Sequence, residues 1–254
     1  MREWVLISGA SEGIGRELAK QFAANQFKLV LMARNESRLT GLANELKDKH
    51  RIETKSIVGD LSDRETPERI FRACRELPIS ILVNNAGFGW QGSFAEEELK
   101  QAADMVEVNV SALVRLTHLF LAPMLARHEG RILNVASTAA FQPGPFTAIY
   151  YATKAFVFSF SLALAEELRG SGVSVTALCP GFTETEFHRR AQMKLGPRTL
   201  GMMSAGSVAR AGFRGCIERE AIVIPGGLNK VTSFVSRRLP ARLTARVVRR
   251  INGR

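Results

Sequence analysis

Short apolar runs alternate with amphipathic stretches along most of this 254-residue chain. Residues 4–7, 29–32, 52–58, 79–83, 131–135, 173–178 and 221–224 read as strands, and between them 14–24, 36–49, 67–76, 94–127, 150–169 and 208–218 carry helical spacing of apolar positions. Strands that are apolar throughout, rather than at alternate positions, are buried on both faces, as in a parallel sheet covered by helices. The prediction is an α/β fold, a single-domain Rossmann fold with a doubly wound parallel sheet of about seven strands and helices on both faces. In that architecture the ligand site lies beyond the carboxyl ends of the strands. No repeat, linker or low-complexity tract divides the chain, so 1–227 reads as one domain and 228–254 as a basic amphipathic C-terminal extension. Residues 183–207, with Gly196, Pro197 and Gly201, lie past a strand end and read as a candidate mobile lid.

Hydrophobic residues make up 46% of the chain, enough for a packed core and too many for disorder. Cys74, Cys179 and Cys216 are far apart and form no C-x-x-C pair, so they read as reduced thiols. His50, His118, His128 and His188 show no ligand spacing, so no metal is expected. The apolar start at Trp4 is too short for a signal peptide, and no uninterrupted apolar run of roughly 18 residues occurs. The expectation is a cytoplasmic protein, with peripheral membrane contact left open. Charge changes the picture at one end. The formal net charge is +11, no acidic residue follows Glu220, and Lys230, Arg237, Arg238, Arg242, Arg246, Arg249, Arg250 and Arg254 all lie beyond it.

The first strand runs into Ser8-Gly9-Ala10-Ser11-Glu12-Gly13-Ile14-Gly15. Glycines let the backbone turn sharply and approach a pyrophosphate, and the N–H groups of the helix that follows favour an anion. The candidate phosphate-binding residues are Gly9, Ser11, Glu12, Gly13, Ile14 and Gly15. The spacing is G-x-x-x-G-x-G, unlike the G-x-G-x-x-G of long-chain dehydrogenases. At the end of the second strand stands Arg34, where an acidic residue would bond the ribose 2′-hydroxyl of NAD. A guanidinium matches a 2′-phosphate instead, and Arg38 stands one helical turn further on. The cofactor reading is NADP(H).

Further elements occur in register: Asp60-Leu61 after the third strand, Asn84-Asn85-Ala86-Gly87 after the fourth, Asn109 in a long helix, Ser137 after the fifth strand, Tyr150-x-x-x-Lys154 on the next helix, and Pro180-Gly181 after the sixth strand. With these the sequence resembles the short-chain dehydrogenase/reductase family to about residue 227, with Ser8 where that family usually has Thr. Tyr150 and Lys154 share a helix face, and a nearby ammonium is expected to lower the phenol's pKa. The resemblance implies that Asn109, Ser137, Tyr150 and Lys154 are catalytic. Tyr150 exchanges the proton, Ser137 holds the substrate oxygen, Lys154 also bonds the nicotinamide ribose, and Asn109 holds a water in a proton relay. It places Asp60 and Leu61 at the adenine, Asn85, Ala86 and Gly87 along the adenosine ribose, Pro180, Gly181 and Thr183 near the nicotinamide, and Thr185 at either the carboxamide or the pyrophosphate. Asp60 reads equally as a helix N-cap, and Asn85 equally as a tie between strands. Tyr151 is the rival phenol, three residues before Lys154.

Phe88, Trp90, Phe141, Phe146, Phe182 and Phe187 fall in loops past strand ends and suggest an apolar pocket, so the expected substrate is an apolar ketone or secondary alcohol. Arg189, Arg190, Lys194 and Arg198 read equally as a solvated loop face or as a site for an anionic carrier, which leaves 3-oxoacyl reduction as a second option, and a non-catalytic NADP-binding protein is a third. In the extension, Leu239, Leu243, Val247 and Ile251 recur every four residues among arginines. This stripe fits an anionic membrane, and equally a cover for the pocket or a second subunit. No groove-reading motif accompanies the arginines, which excludes nucleic acid as the expected partner. Apolar faces on residues 113–125 and 150–169 predict a homodimer or homotetramer.

Overall fold

The computed structural model describes residues 3–191 and 201–253. Lys194, Gly196, Pro197 and Arg198 of the predicted lid, and the side chain of Arg190, lie outside the described residues. In chain order the elements are β1 (Trp4–Ser8), α1 (Gly13–Ala24), β2 (Lys28–Ala33), α2 (Glu36–His50), β3 (Thr54–Val58), α3 (Thr66–Cys74), β4 (Ile79–Asn84), α4 (Leu99–Val106), α5 (Ala112–Ala126), β5 (Gly130–Val135), α6 (Ala148–Glu167), β6 (Val173–Leu178), β7 (Thr183–Glu184), α7 (Phe187–Arg190), β8 (Met203–Ser204), α8 (Ala205–Ile217), β9 (Ile222–Val223), α9 (Gly227–Ser236) and α10 (Ala241–Asn252).

Seven strands form one parallel sheet in the order β3-β2-β1-β4-β5-β6-β9. The order reverses between β1 and β4, which opens a crevice at their carboxyl ends. Alternate residues of β1 feed opposite cores. Val5 and Ile7 join Leu18 and Phe22 of α1, Leu39 and Leu46 of α2 and Val208 of α8. Trp4 and Leu6 join Ile70 of α3, Leu116 and Phe120 of α5 and Val175 of β6. A buried polar chain crosses the second layer: Asn84 donates to Thr117 Oγ1 at 3.0 Å and Asn134 Oδ1 at 2.9 Å, and Asn134 donates to Ser161 Oγ at 2.9 Å. It links α5, β4, β5 and α6 at the height of the crevice.

Two expectations need correction. The single helix predicted over 94–127 is broken. A 3₁₀ turn at Phe94–Glu96 precedes α4, and a π-helical turn, Glu107–Ser111, joins α4 to α5. Apolar spacing runs through all three, so it does not reveal the extra residue that a π turn inserts. The second concerns the tail, where one of the three open readings falls away. Thr244, Val248 and Asn252 form the buried row of α10, while Leu239, Leu243, Val247 and Ile251 stay exposed. The apolar stripe therefore does not cover the pocket within this chain. The helix is turned by its hydrogen bonds: Asn252 Nδ2 donates to Pro145 O at 2.9 Å and Thr147 Oγ1 at 3.0 Å, and Gln91 Nε2 donates to Asn252 O at 2.8 Å.

By length and hydropathy, Leu99–Ala126 and Ala148–Glu167 are each sufficient to cross a bilayer. Arg115 and Lys154 interrupt them, and each packs one face on the sheet while less than half of its apolar window is buried.

Candidate active site

The crevice is a cleft of about 480 Å³ that runs without a break from the glycine turn and Arg34 to Tyr150 and Phe187. At one end β1 delivers the chain into the turn. Gly9 and Gly13 adopt φ of 65° and 55°, the left-handed region that favours glycine. Ser8 anchors the turn to β4: its hydroxyl accepts from Asn85 N at 3.0 Å and Ala86 N at 3.1 Å. Asn85 Nδ2 donates to Ser8 O and Gly9 O, each at 3.0 Å, so this side chain ties β1 to β4 as well as lining the cleft. Gly15 does not line the cleft. It lets α1 close on the turn, since a Cβ there would stand 2.3 Å from Gly9 O and 2.4 Å from Asn85 Nδ2. Glu12 precedes α1 without a side-chain cap and turns its carboxylate to Arg38 at 2.9 Å. The first-turn N–H groups of α1 are thus left for an anionic ligand.

Arg34 and Arg38 frame this end with Asp60, whose carboxylate is 3.7 Å from Arg34. Burial pushes the Asp60 carboxyl up, but hydrogen bonds from Ser62 and the Arg34 charge outweigh it and hold the group below its ordinary range. Asp60 is not the N-cap of α3, a position that Glu65 holds without a side-chain cap; its oxygen accepts from Ser62 N, and Asp63 accepts from Glu65 N and Thr66 Oγ1. Leu61 sits mostly in the core and shows the cleft only an edge.

At the other end, α6 presents Tyr150 and Lys154 beneath Ser137, which follows β5. The Ser137 hydroxyl stands beside the Tyr150 phenol, donates to Pro180 O at 3.5 Å and accepts from Ala139 N at 3.1 Å. Lys154 Nζ donates to Val135 O at 2.7 Å and stands 5.9 Å from the centre of the Tyr150 ring. The expectation that Lys154 makes the phenol more acidic does not hold in this cleft. Burial pushes Tyr150 up to about 12, only partly offset by the Ser137 hydroxyl, and burial pulls Lys154 down to about 8. The physical reason is that both groups lose water on burial, which disfavours the charged form of each.

Asn109 lies outside the cleft lining, in the π turn behind Gly87. Its amide donates to Phe88 O at 2.9 Å and Thr153 Oγ1 at 3.1 Å, and its oxygen accepts from Phe88 N at 3.0 Å. A Cβ on Gly87 would stand 2.9 Å from Asn109 Oδ1 and 3.4 Å from Lys154 Nζ. The missing side chain is what lets those two residues flank one backbone. Of the two phenols, Tyr150 is the one beside Ser137, whereas the Tyr151 ring packs so closely on Gly144 that a Cβ there would meet it at 2.2 Å.

Pro180, Gly181, Thr183 and Thr185 line the cleft beyond β6, and the Phe187 ring sits 5.3 Å from that of Tyr150. Of the six loop aromatics, Phe88, Phe182 and Phe187 line the cleft; Phe141 is a core residue packed on Phe158, and Trp90 and Phe146 are outside the lining. Sequence reasoning missed Asn229 of α9, which packs on Gly181 so tightly that a Cβ there would meet its side-chain oxygen at 2.3 Å. It also missed Thr153, the partner of Asn109. Neither carries a motif. Among the described residues no group of His, Cys, Asp and Glu could hold a metal ion.

The family model described as short chain dehydrogenase matches residues 3–195. The chain belongs to the short-chain dehydrogenase/reductase family. This short-chain dehydrogenase is 34% identical over 191 residues, 72% of its own length, to a Homo sapiens protein named very-long-chain 3-oxoacyl-CoA reductase, and it covers 60% of that relative's length. It is similar to a solved short-chain dehydrogenase from Sphingobium yanoikuyae in complex with NADPH, with 31% identity, a TM-score of 0.84, and coverage of 94% and 96% of the two chains. A solved 7β-hydroxysteroid dehydrogenase matches with 26% identity, a TM-score of 0.88, and coverage of 97% and 96%.

Proposed function

We propose that this dehydrogenase reduces an apolar carbonyl compound, or oxidises the matching secondary alcohol, with NADP(H). The observation that carries the reading is the single unbroken cleft, with two arginines and a glycine turn at one end and half-buried Ser137 and Tyr150 beside a buried Lys154 at the other. The residues present fit the dinucleotide. Two left-handed glycines and the uncapped start of α1 suit a pyrophosphate, and Arg34 and Arg38 suit a 2′-phosphate. NADPH, when bound, supplies the hydride. Tyr150, protonated at neutral pH, gives its proton to the carbonyl oxygen, and the Ser137 hydroxyl holds that oxygen in line. Lys154 holds the ribose side and keeps positive charge near the phenol, Thr183 and Thr185 hold the carboxamide side, and Asn109 fixes the Gly87–Phe88 backbone beside the amine. Phe88, Phe182 and Phe187 exclude water from the reacting atoms.

The similarity to a reductase named for 3-oxoacyl-CoA favours a second substrate class, the 3-oxoacyl thioester. NADPH oxidation measured against aryl ketones, ketosteroids and 3-oxoacyl-CoA separates the two. Turnover of the ketones supports the first class and turnover of the thioester alone the second. No turnover of any, with NADPH still bound, contradicts an enzymatic role. We also propose a homodimer through the outer faces of α5 and α6, where Phe156 is exposed and stacks on Phe160 at 5.9 Å; light scattering giving a monomer would contradict it.

A further inference from the structure

Outside the cleft, the main feature without a role is the outward surface of α9 and α10. Val231, Phe234 and Val235 of α9 are 61%, 56% and 46% exposed, and Leu243, Val247 and Ile251 of α10 are 45%, 47% and 52% exposed. Spacing of four aligns the α10 residues in one row. The neighbouring row, Thr244, Val248 and Asn252, is the one that docks on the body. The helix is therefore held by its more polar row, through the Asn252 hydrogen bonds to Pro145 and Thr147, and its larger aliphatics face outward. On the other side of the aliphatic row stand Arg242, Arg246, Arg249 and Arg250, all exposed.

We propose that α9 and α10 together form a docking surface for an anionic lipid bilayer. The aliphatics and Phe234 enter the headgroup boundary, and the arginines reach lipid phosphates. Charge decides the occupant. No acidic residue follows Glu220, so two copies meeting face to face would bring two arginine clusters together without counter-charge, whereas an anionic leaflet supplies that charge. Arg237 is set apart from this surface, stacked on Phe141 at 4.5 Å and Phe158 at 4.7 Å, where it braces α9 against the body. Asn252 also holds Pro145 and Thr147, which lead into the helix of Tyr150. The docking surface thus sits on the element that buttresses a loop beside the cleft.

The test is co-sedimentation of the full chain with vesicles of phosphatidylglycerol and phosphatidylcholine, beside vesicles of phosphatidylcholine alone. The wild type is expected to partition into the anionic vesicles at least about tenfold more strongly than into the neutral ones, and to release at high salt. Leu243→Glu/Val247→Glu is expected to lose about tenfold in partition, with circular dichroism and NADPH binding unchanged. Should that variant not fold, Val231→Glu on the other helix carries the same test. Equal partition of wild type and a folded variant overturns the proposal, as does wild-type protein that stays in solution with both vesicles. A dimer that these substitutions dissociate, without vesicle binding, assigns the surface to a second copy and also overturns it.

Discussion

Tyr150 and Lys154 are displaced in opposite directions by the same cause, loss of water. A phenol pushed up to about 12 stays protonated through neutral pH, which is the form a carbonyl reduction consumes. An amine pulled down to about 8 loses its charge as the pH rises past that value in the free protein. The kcat/KM for NADPH reports the free enzyme, so it is expected to fall with rising pH above about 8 in a pH–rate profile; a flat profile well into the alkaline range would contradict this role for Lys154. Tyr150→Phe is expected to cut turnover by about 10²-fold or more while Tyr151→Phe retains most of it, measured as NADPH oxidation at saturating substrate. Arg34→Ala is expected to lower kcat/KM for NADPH by roughly tenfold to a hundredfold and to leave NADH nearly unaffected, because only the 2′-phosphate loses its charge-assisted partner. Much at this scale is legible in the sequence. The Tyr-x-x-x-Lys spacing and Arg34 can be read directly, since i,i+4 geometry and a strand end place them. The pKa directions cannot, because they follow from burial within the cleft, which no local spacing reveals.

The glycine turn is the element on which the cofactor end depends, and its three glycines have different tasks. Gly9 and Gly13 hold backbone angles that other residues resist, and Gly15 holds a contact distance. Gly15→Ala forces a methyl against Gly9 O and Asn85, so it is expected to destabilise the fold by about 1–3 kcal/mol and weaken NADPH binding together, read by urea unfolding and by titration of the cofactor. An unchanged midpoint would mean that the turn has room the structure does not show. Strands and most helices were predictable because their periods of burial are set by the chain alone. The π turn was not, since apolar spacing continues across it and only the placement of Asn109 against Phe88 reveals the inserted residue. The orientation of α10 was hidden for a related reason. Hydrophobicity points its aliphatic row inward, but Asn252 has partners on Pro145 and Thr147 that the aliphatic residues cannot supply.

For the whole molecule, the parallel sheet and its reversal between β1 and β4 bring residues from six separate strand ends to one crevice. The fold class and the crevice follow from the alternation of apolar runs and helices, together with the general rule for where such sheets bind ligands. The way α9 and α10 buttress that crevice is long-range packing, and Asn229 against Gly181 shows why a boundary near 227 says little about it. The central claim is that a single dinucleotide spans the crevice from the arginines to the phenol. A crystal structure of the protein with NADP⁺ tests it most directly. The account predicts the 2′-phosphate between Arg34 and Arg38, the pyrophosphate on the first turn of α1, and the nicotinamide within reach of a substrate oxygen held by Tyr150 and Ser137. A dinucleotide found elsewhere, or one whose nicotinamide lies away from Tyr150, would contradict it.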